Sequence, residues 1–376
     1  MSLTLHPVRT AEDRRRYAAL PFRLYRDTPA WVPPQWGSEQ ALLDPARNPS
    51  LAHSEAQAWL ALRHGETVGR LTVLLNPRET VYLGEAHARF GWTDFIDDPA
   101  VSQCLLSAAT DWAKARGASL LKGPHGFTSL DAAGWVVEGF ERLSTFATRY
   151  NAAYYASHLS RLGFRPRVDW VEHHLSVPDR LPPRIERLRT LLPERYGLRY
   201  RSFTSRAALR RAAPAIFQVL LDSYAPLTGW VPLTPAEQQH YLAAYFDWLR
   251  PDCVGLVEDT QGEVVGFGVT LPSLAQAMRR AGGRLWPWGW YHLLRAQHRN
   301  HSADLILIGS TPAWQGKGIP ALIFAHLYQT FRRLGIRRVN IHPMMVHNSP
   351  VLSLFKDYDL TLFRRRRVWG VEIRNS

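Results

Sequence analysis

The chain has 376 residues, 46% hydrophobic and 21% charged, the values of an ordinary globular protein with about two domains, each able to bury its own core. Its formal net charge of +14 suits a phosphate-bearing ligand, an anionic membrane surface or nucleic acid. Nucleic acid is disfavoured, because no zinc-finger spacing or lysine-rich tail is present and the arginines are spread through the whole chain.

Cys104 and Cys253 are the only cysteines, so no disulfide framework and no cysteine metal site is expected. No apolar signal core opens the chain and no run of about 18 apolar residues occurs. A cytoplasmic protein is expected, at most peripheral at the inner membrane surface.

Leu3 to Val8 reads as a first strand, and Ala11 to Tyr25 as a basic helix with Thr10 as N-cap. Thr28 to Pro34 is too proline-rich for regular structure. Gln57 to Arg63 and Thr67 to Leu75 make a hairpin around His64-Gly65-Glu66, and Glu85 to Phe95 continues the sheet. Asp98 to Arg116, stopped by Gly117, is a helix with alanine, leucine and tryptophan on one face. Leu120 to Lys122 is a strand ending in Gly123-Pro124-His125-Gly126; a loop-rich span then runs to Arg149, and Tyr154 to Leu162 forms a helix. His125, Asp131 and Glu138 lie in that span after a strand end, where function concentrates; Asp131 and Glu138 are candidate substrate contacts, with solvated loop residues as the equal alternative.

The proline-rich span from Val177 to Pro193 reads as a connection, giving a first module 1–177, a linker 178–196 and a second module 197–376. Leu198 to Phe203 is a strand, Ser205 to Tyr224 and Pro235 to Leu249 are helices, and Val254 to Val257 with Glu263 to Leu271 form a hairpin. This order repeats that of the first half, an internal duplication at the level of structure. An insertion, 274–299, follows, with Trp286, Trp288 and Trp290 interleaved with arginine. Such chemistry suits lipid head groups and acyl chains, a lid over an apolar substrate, or a packed helical hairpin, and these tryptophans are candidate substrate contacts.

Leu305 to Leu334 reads as strand, loop and helix. Leu305 to Ile308 are unbroken apolar residues, and Ile319, Ile323, Leu327, Phe331 and Leu334 recur on one helix face before Gly335. Between them lies Gln315-Gly316-Lys317-Gly318-Ile319-Pro320. Glycines let the backbone approach a ligand and free N–H groups at a helix start attract anions, so this is a phosphate site in outline. The matching place in the first half, Phe95-Ile96-Asp97-Asp98-Pro99, carries two carboxylates that would repel a pyrophosphate. Arg338 to Ile341 is then a strand ending at His342, Ser349 to Tyr358 a short helix, and Leu360 to Ile373 a last strand. Alternation puts Arg364 to Arg367 on both faces, either a solvated basic edge or a phosphate contact.

The hexapeptide resembles the Q/R-x-x-G-x-G/A pyrophosphate loop of the GNAT N-acyltransferases, with Gln315 and Gly318 matching and Pro320 where a small residue is usual. The resemblance implies an α/β (α+β) fold of two tandem GNAT-like modules, each a mixed, mostly antiparallel sheet flanked by helices. It implies acyl-CoA or acetyl-CoA as co-substrate, an amine acceptor, and no metal. Ser310, Gln315, Gly316, Lys317, Gly318, Ile319, Pro320 and Asn348 are the implied coenzyme contacts, with backbone N–H groups near Ser310 polarising the thioester carbonyl. The superfamily's tyrosine position falls on Phe355, which cannot donate a proton; Tyr358, on nearly the same helix face, is the candidate acid. His342, His347 and Glu258 are candidate bases for the acceptor amine.

Over nearly its full length the chain also looks like a two-module bacterial GNAT family. The likeness rests on Trp31-Val32-Pro33-Pro34, Val68-Gly69-Arg70, Phe95-Ile96-Asp97-Asp98, Lys122-Gly123-Pro124, Tyr150-Asn151, the run from Arg284 to Trp290, and Gln315 to Ile319. It is similar to bacterial ceramide-synthase-like enzymes, which join a long acyl group to a sphingoid amine, although Val346-His347 stand where acidic residues are expected. The expected function is acyl transfer from acyl-CoA to a primary amine, with a sphingoid amine as one acceptor class. The alternatives are an acetyltransferase for a small soluble or aminoacyl amine, and a non-catalytic acyl-CoA or lipid-binding protein.

Overall fold

The structure, a computed structural model, describes residues 3–227, 230–346 and 354–373. The chain forms two compact units: Met1–Trp170 with Ala275–Trp290 and Arg364–Ser376, and Val171–Leu274 with Tyr291–Phe363. Each combines a mixed sheet with flanking helices, the architecture the sequence implies.

The first unit begins with β1 (Leu3–Pro7), α1 (Ala11–Leu24) and α2 (Trp36–Ala41). A reciprocal capping box between Thr10 and Asp13 starts α1, as the sequence predicts. β2 (Glu55–Arg63) and β3 (Glu66–Leu75) follow, then α3 (Pro77–Leu83), β4 (His87–Phe95), α4 (Pro99–Lys114), β5 (Leu120–Gly123), β6 (Trp135–Glu138), α5 (Tyr155–Arg161) and β7 (Arg165–Ser176). His64 and Gly65, with φ of 52° and 78°, make the tight turn between β2 and β3. α4 packs on β3 at Gly69, where a Cβ would come 2.8 Å from both Val101 and Leu105. Around that contact Leu71, Val73, Phe90, Phe95, Leu105 and Tyr155 close the core.

The second unit continues with α6 (Pro183–Tyr196), β8 (Arg199–Ser202), α7 (Arg206–Tyr224), α8 (Pro235–Tyr245), β9 (Val254–Glu258) and β10 (Val264–Pro272). After α9 (Ala275–Ala281), which belongs to the first unit, and α10 (Gly289–His298) come β11 (Ser302–Ser310), α11 (Ile319–Leu334), β12 (Arg338–Met345) and β13 (Leu360–Glu372), the last passing into the first unit at Arg364. Its strands run β7-β12-β11-β10-β9-β8; β11 and β12 pair in parallel, while β10 pairs antiparallel with β11 and β9, and β8 antiparallel with β9. α11 presses on the glycines of β10: a Cβ on Gly266 would come 2.3 Å from Ile319, and one on Gly268 2.6 Å from Ile323. Gly309 and its partner Phe267 point the other way, towards Ser223 of α7. Paired residues share a face, so α7 and α11 cover opposite sides of this sheet.

The chain passes between units within β7, on either side of residues 275–290, and within β13. The sequence offers only the proline-rich span as a boundary. That span is not an idle connection: α6 packs along α11, and Leu192 lies 3.0 Å from where a Cβ on Gly318 would stand. β7 is a second departure, a strand of 12 residues that the sequence reading leaves out.

Both readings of the arginine run in β13 are corrected. Trp369 to Glu372 pair antiparallel with β5, and Arg365 to Arg367 pair with β6, so this part of the strand lies inside the first unit's sheet. Arg364 and Arg366 are fully buried and donate to backbone carbonyls of Gly139, Arg142, Gly134 and Arg149, while Arg365 and Arg367 ion-pair with Asp169. The alternation holds; the solvated edge and the phosphate contact do not. Residues 349–353 lie outside the described part, and 354–357 form turns rather than the expected helix.

Candidate functional site

The site is built around an opening in the second unit's sheet. β11 and β12 pair in parallel only from Ser302↔Arg338 to Leu305↔Ile341, although β11 runs on to Ser310 and β12 to Met345. On its other edge β11 stays paired with β10 as far as Ser310↔Gly266, with Ile306 unmatched where the register shifts beside Val269/Thr270. A bulge increases local twist and bends the strand, which parts it from β12. Beyond Leu305 the β12-facing edge of β11 has no ladder partner among the described residues, and Ile306 to Gly309 are only half-buried. An extended, amide-bearing ligand can take the place of the missing strand there.

The open edge leads into the glycine loop. After a 3-10 turn, Pro312–Trp314, the backbone takes positive φ at Gly316 (75°) and Gly318 (85°), conformations that favour glycine, and α11 begins. Gly318 is the N-cap and provides no side-chain cap; its carbonyl accepts from the N–H of Ala321 (2.9 Å) and Leu322 (3.3 Å). Pro320 has no N–H, and those of Gly316, Gly318 and Ile319 meet no acceptor among the described residues. The start of α11 is therefore a set of free donors at the positive end of a helix.

Positive side chains surround it. The Lys317 ammonium lies 4.8 Å from the centre of the Trp314 ring, which meets Tyr196 edge-on at 5.7 Å, and Arg195 sits over Tyr196 at 5.2 Å. Neither Lys317 nor Arg195 has an acidic partner among the described residues. The fit to a diphosphate is good: free N–H groups, unspent cations and two glycines that permit close approach. Tyr196 and Arg195 come from the proline-rich span, and only their packing brings them to the loop.

The first unit's counterpart is closed twice over. Asp98 caps α4 itself, accepting from Ala100 N–H at 2.8 Å while pairing with Arg63 at 2.5 Å, and Asp97 pairs with His158 at 2.9 Å. The helix start that would attract a phosphate already holds a carboxylate. β4 and β5 also pair in parallel over a short stretch, His87↔Leu120 to Arg89↔Lys122, but the chain fills the gap beyond. His125 N–H donates to Phe90 at 2.8 Å, and a Cβ on Gly91 would come 2.4 Å from the His125 carbonyl. Burial, with Arg89 alongside, pushes the His125 imidazole down to about 3.

The remaining candidates divide. Ser310 is buried at the end of β11, and His342 directly follows Ile341, so it stands on the part of β12 that has left its neighbour. Tyr358 packs its ring on Phe324 of α11 at 6.1 Å, and its hydroxyl oxygen is buried with no hydrogen-bond partner among the described residues. Burial, reinforced by Asp357, raises this phenol above the usual tyrosine range and keeps it protonated. Phe355 is buried against Phe324 at 5.3 Å, an anchor for the same segment. His347 and Asn348 lie outside the described residues.

Glu258, a candidate base in the sequence, is held in ion pairs. Its buried carboxylate pairs with Arg199 (2.5 Å) and Arg201 (2.9 Å); burial pushes its pKa up, but the hydrogen bonds from these arginines outweigh that and hold it below the usual range. Asp131 and Glu138 belong to the first unit's own framework: Asp131 accepts from Thr128 N–H at 3.1 Å and Glu138 pairs with Arg365 at 3.1 Å. Trp286 (82% exposed), Trp288 (72%) and Trp290 (43%) face outward.

Two residues absent from the sequence reading join the site. Tyr224, at the end of α7, donates to the Ile308 carbonyl at 3.4 Å, and burial raises its hydroxyl to about 12. Trp230 meets Tyr224 edge-on at 5.1 Å, and its indole N–H is buried without a partner among the described residues. Tyr224 reads in the sequence only as the end of a helix, and Trp230 falls in the unassigned stretch between that helix and the one starting at Pro235.

Beneath the opening, Asp304 is fully buried and accepts from Asn340 at 2.5 Å; burial pushes its carboxyl up to about 7, against that hydrogen bond. A folded-state pKa above the unfolded value near 3.8 means stability present at acid pH and lost as pH rises through about 7. Asp304→Asn keeps the acceptor without the charge, so it is expected to raise the melting temperature at pH 8 by about 2–4 °C and to change it little at pH 5. Equal shifts at both pH values, measured by calorimetry, would contradict a buried titrating carboxyl.

No protein-family model matches the chain. It is similar to Protein YghO of Escherichia coli (strain K12), 26% identical over 371 residues that cover 96% of this chain and 93% of that protein. It is similar to the Bacterial ceramide synthase of Caulobacter vibrioides (strain NA1000 / CB15N), 26% identical over 377 residues, 98% of this chain and 97% of that one. Among solved structures it resembles a tandem GNAT protein from the clavulanic acid biosynthesis pathway, with a TM-score of 0.59 and 13% identity, each chain covered in full. The fold is that of tandem GNAT proteins.

Proposed function

We propose that this tandem GNAT fold binds one acyl-CoA, in its second unit, and transfers the acyl group to a primary amine. The observation that carries the reading is the parting of β11 from β12 beside an uncapped, cation-flanked helix start, a combination the first unit has closed. The pantetheine amides would pair along Ile306 to Ser310, and the diphosphate would accept from Gly316, Gly318 and Ile319 with Lys317 and Arg195 beside it. An activated thioester is what the coenzyme brings to the site.

In the reaction the amine nitrogen bonds to the thioester carbonyl carbon, the carbon–sulfur bond breaks, one proton leaves the amine and one reaches the sulfur. His342, on the parted strand, takes the amine proton. Tyr358, kept protonated by burial, gives one to the leaving thiolate. Backbone N–H groups of β11 next to Ser310 hold the developing oxyanion. The acceptor we propose is a long-chain amine of the sphingoid type, supported by full-length similarity to a protein named a ceramide synthase and by the tryptophan-bearing insertion. One observation favours a second reading, a binder without turnover: the superfamily's tyrosine position is a buried phenylalanine, Phe355.

The test titrates purified protein with acyl-CoA from C2 to C16, by calorimetry, and measures free thiol release with short and sphingoid amines. Thiol release with long donors and the sphingoid amine supports the lipid reading; binding without release supports the second. No binding with any donor would sink both. Tyr358→Phe is expected to lower kcat about a hundred-fold with acyl-CoA affinity unchanged. A parallel loss of affinity would make Tyr358 a packing residue.

A further inference from the structure

Between Glu263 and Asp304 the sequence contains no acidic residue, while Arg279, Arg280, Arg284, Arg295 and Arg299 fall in the same stretch. Within the first unit, this stretch ends α9 and makes the tip that runs to Trp290. The tip is held firmly at its base. Gly283 has φ of 72° and is buried; a Cβ there would come 2.3 Å from the Pro34 carbonyl, and its own carbonyl accepts from Trp36 N–H at 2.9 Å. Trp290 N–H donates to the Leu285 carbonyl at 2.9 Å, closing the turn, and Arg284 lies over the Trp36 ring at 5.1 Å. The proline-rich segment after α1 is thus the footing of the insertion.

Such anchoring would let the tip fold its tryptophans inward, yet Trp286 is 82% and Trp288 72% exposed. Two exposed indole rings within three residues, flanked by arginines, make an apolar patch with a polar rim, the kind of surface that marks a contact site. The partner must accept indole rings and, beside them, unbalanced positive charge: Arg279 and Arg280 are exposed and have no acidic partner among the described residues. A protein partner could supply carboxylates, but the mixture of indole and guanidinium over a small tip fits better a surface with an anionic polar layer above an apolar one. Tryptophan partitions to that boundary and arginine reaches the phosphates above it.

We propose that the tip from Arg279 to Trp290 docks the protein on an anionic lipid bilayer, with Trp286 and Trp288 entering the head-group boundary. No helix among the described residues is long and apolar enough to cross a membrane, so the contact is peripheral. The inference stands apart from the acyl-CoA reading and needs no turnover to test.

The test is co-sedimentation of the full chain with phosphatidylcholine vesicles and with phosphatidylcholine–phosphatidylglycerol vesicles, at low and at high salt. Binding is expected only to the mixed vesicles and is expected to weaken with salt. Trp286→Ser with Trp288→Ser should lower the partition coefficient about ten-fold, and Arg279→Ala or Arg280→Ala about five-fold each. These side chains are exposed, and an unchanged melting temperature will confirm that the variants fold. Equal binding to both vesicle types overturns the proposal, as does a double tryptophan variant that binds like the wild type.

Discussion

Gly318→Asp is expected to weaken acyl-CoA binding by at least about a hundred-fold while leaving the helical content unchanged. Gly318 is the N-cap of α11, so the new carboxylate would stand among the N–H groups of Gly316, Gly318 and Ile319. Two unit charges about 4 Å apart repel by about 4 kcal/mol at an effective dielectric constant near 20, about a thousand-fold before salt screening. The native φ of 85° costs a non-glycine residue about 1–2 kcal/mol, and a Cβ would stand 3.0 Å from Leu192, so some stability is lost as well. A negative charge at a helix start returns part of that cost. Gly318→Asn carries the same shape and backbone strain without the charge and is expected to lose only about ten-fold. Calorimetric titration of both variants separates the causes: equal losses would mean sterics alone, and unchanged affinity for the aspartate variant would remove the phosphate from this loop.

Arg70→Leu is expected to destabilise the first unit by about 3–5 kcal/mol, because breaking a buried pair strands its partners. Arg70 is completely buried, pairs with Glu39 at 2.9 Å and Asp94 at 2.7 Å, and donates to the Tyr17 carbonyl at 3.0 Å. Without it Glu39 keeps Arg149, and Asp94 keeps only the hydroxyl of Tyr25 at 2.9 Å. The pH dependence follows. Burial pushes the Glu39 carboxyl up, but Arg149 and Arg70 outweigh it and hold it at about 2. A depressed folded-state pKa gives stability that is present above the unfolded value near 4.5 and lost as pH falls towards about 2. Urea unfolding at pH 7 and pH 3 should therefore show a smaller acid loss for Arg70→Leu than for the wild type. A penalty below about 1 kcal/mol at pH 7 would show that the cluster is not the linchpin its burial implies.

Val68-Gly69-Arg70, one of the motifs behind the family likeness, thereby acquires a physical role. Gly69 lets α4 approach and Arg70 neutralises two buried carboxylates. Neither role could be read from the motif, since the partners of Arg70 come from α2 and β4. The aspartates Asp97 and Asp98 were legible as a hostile place for a phosphate; that Asp98 caps α4 gives the mechanism.

The sequence by itself determined the local elements. Periodicity and caps place α1, α4, α7, α8 and α11, and the glycines at 316 and 318 mark a backbone that only positive φ explains. These features depend on residues a few positions apart, so a linear reading reaches them. Tertiary structure alone decided the rest. Arg364 and Arg366 of β13 are buried because the strand enters the first unit's sheet, Glu258 is ion-paired because β8 brings two arginines to it, and Tyr224 meets β11, Trp230 meets Tyr224 and α6 meets α11 only by packing. Strand pairing is set by contacts far apart in sequence, and a side chain's chemistry follows from the partners those contacts deliver. The loop from Gln315 to Pro320 was visible from the start; the parted strands beside it were not.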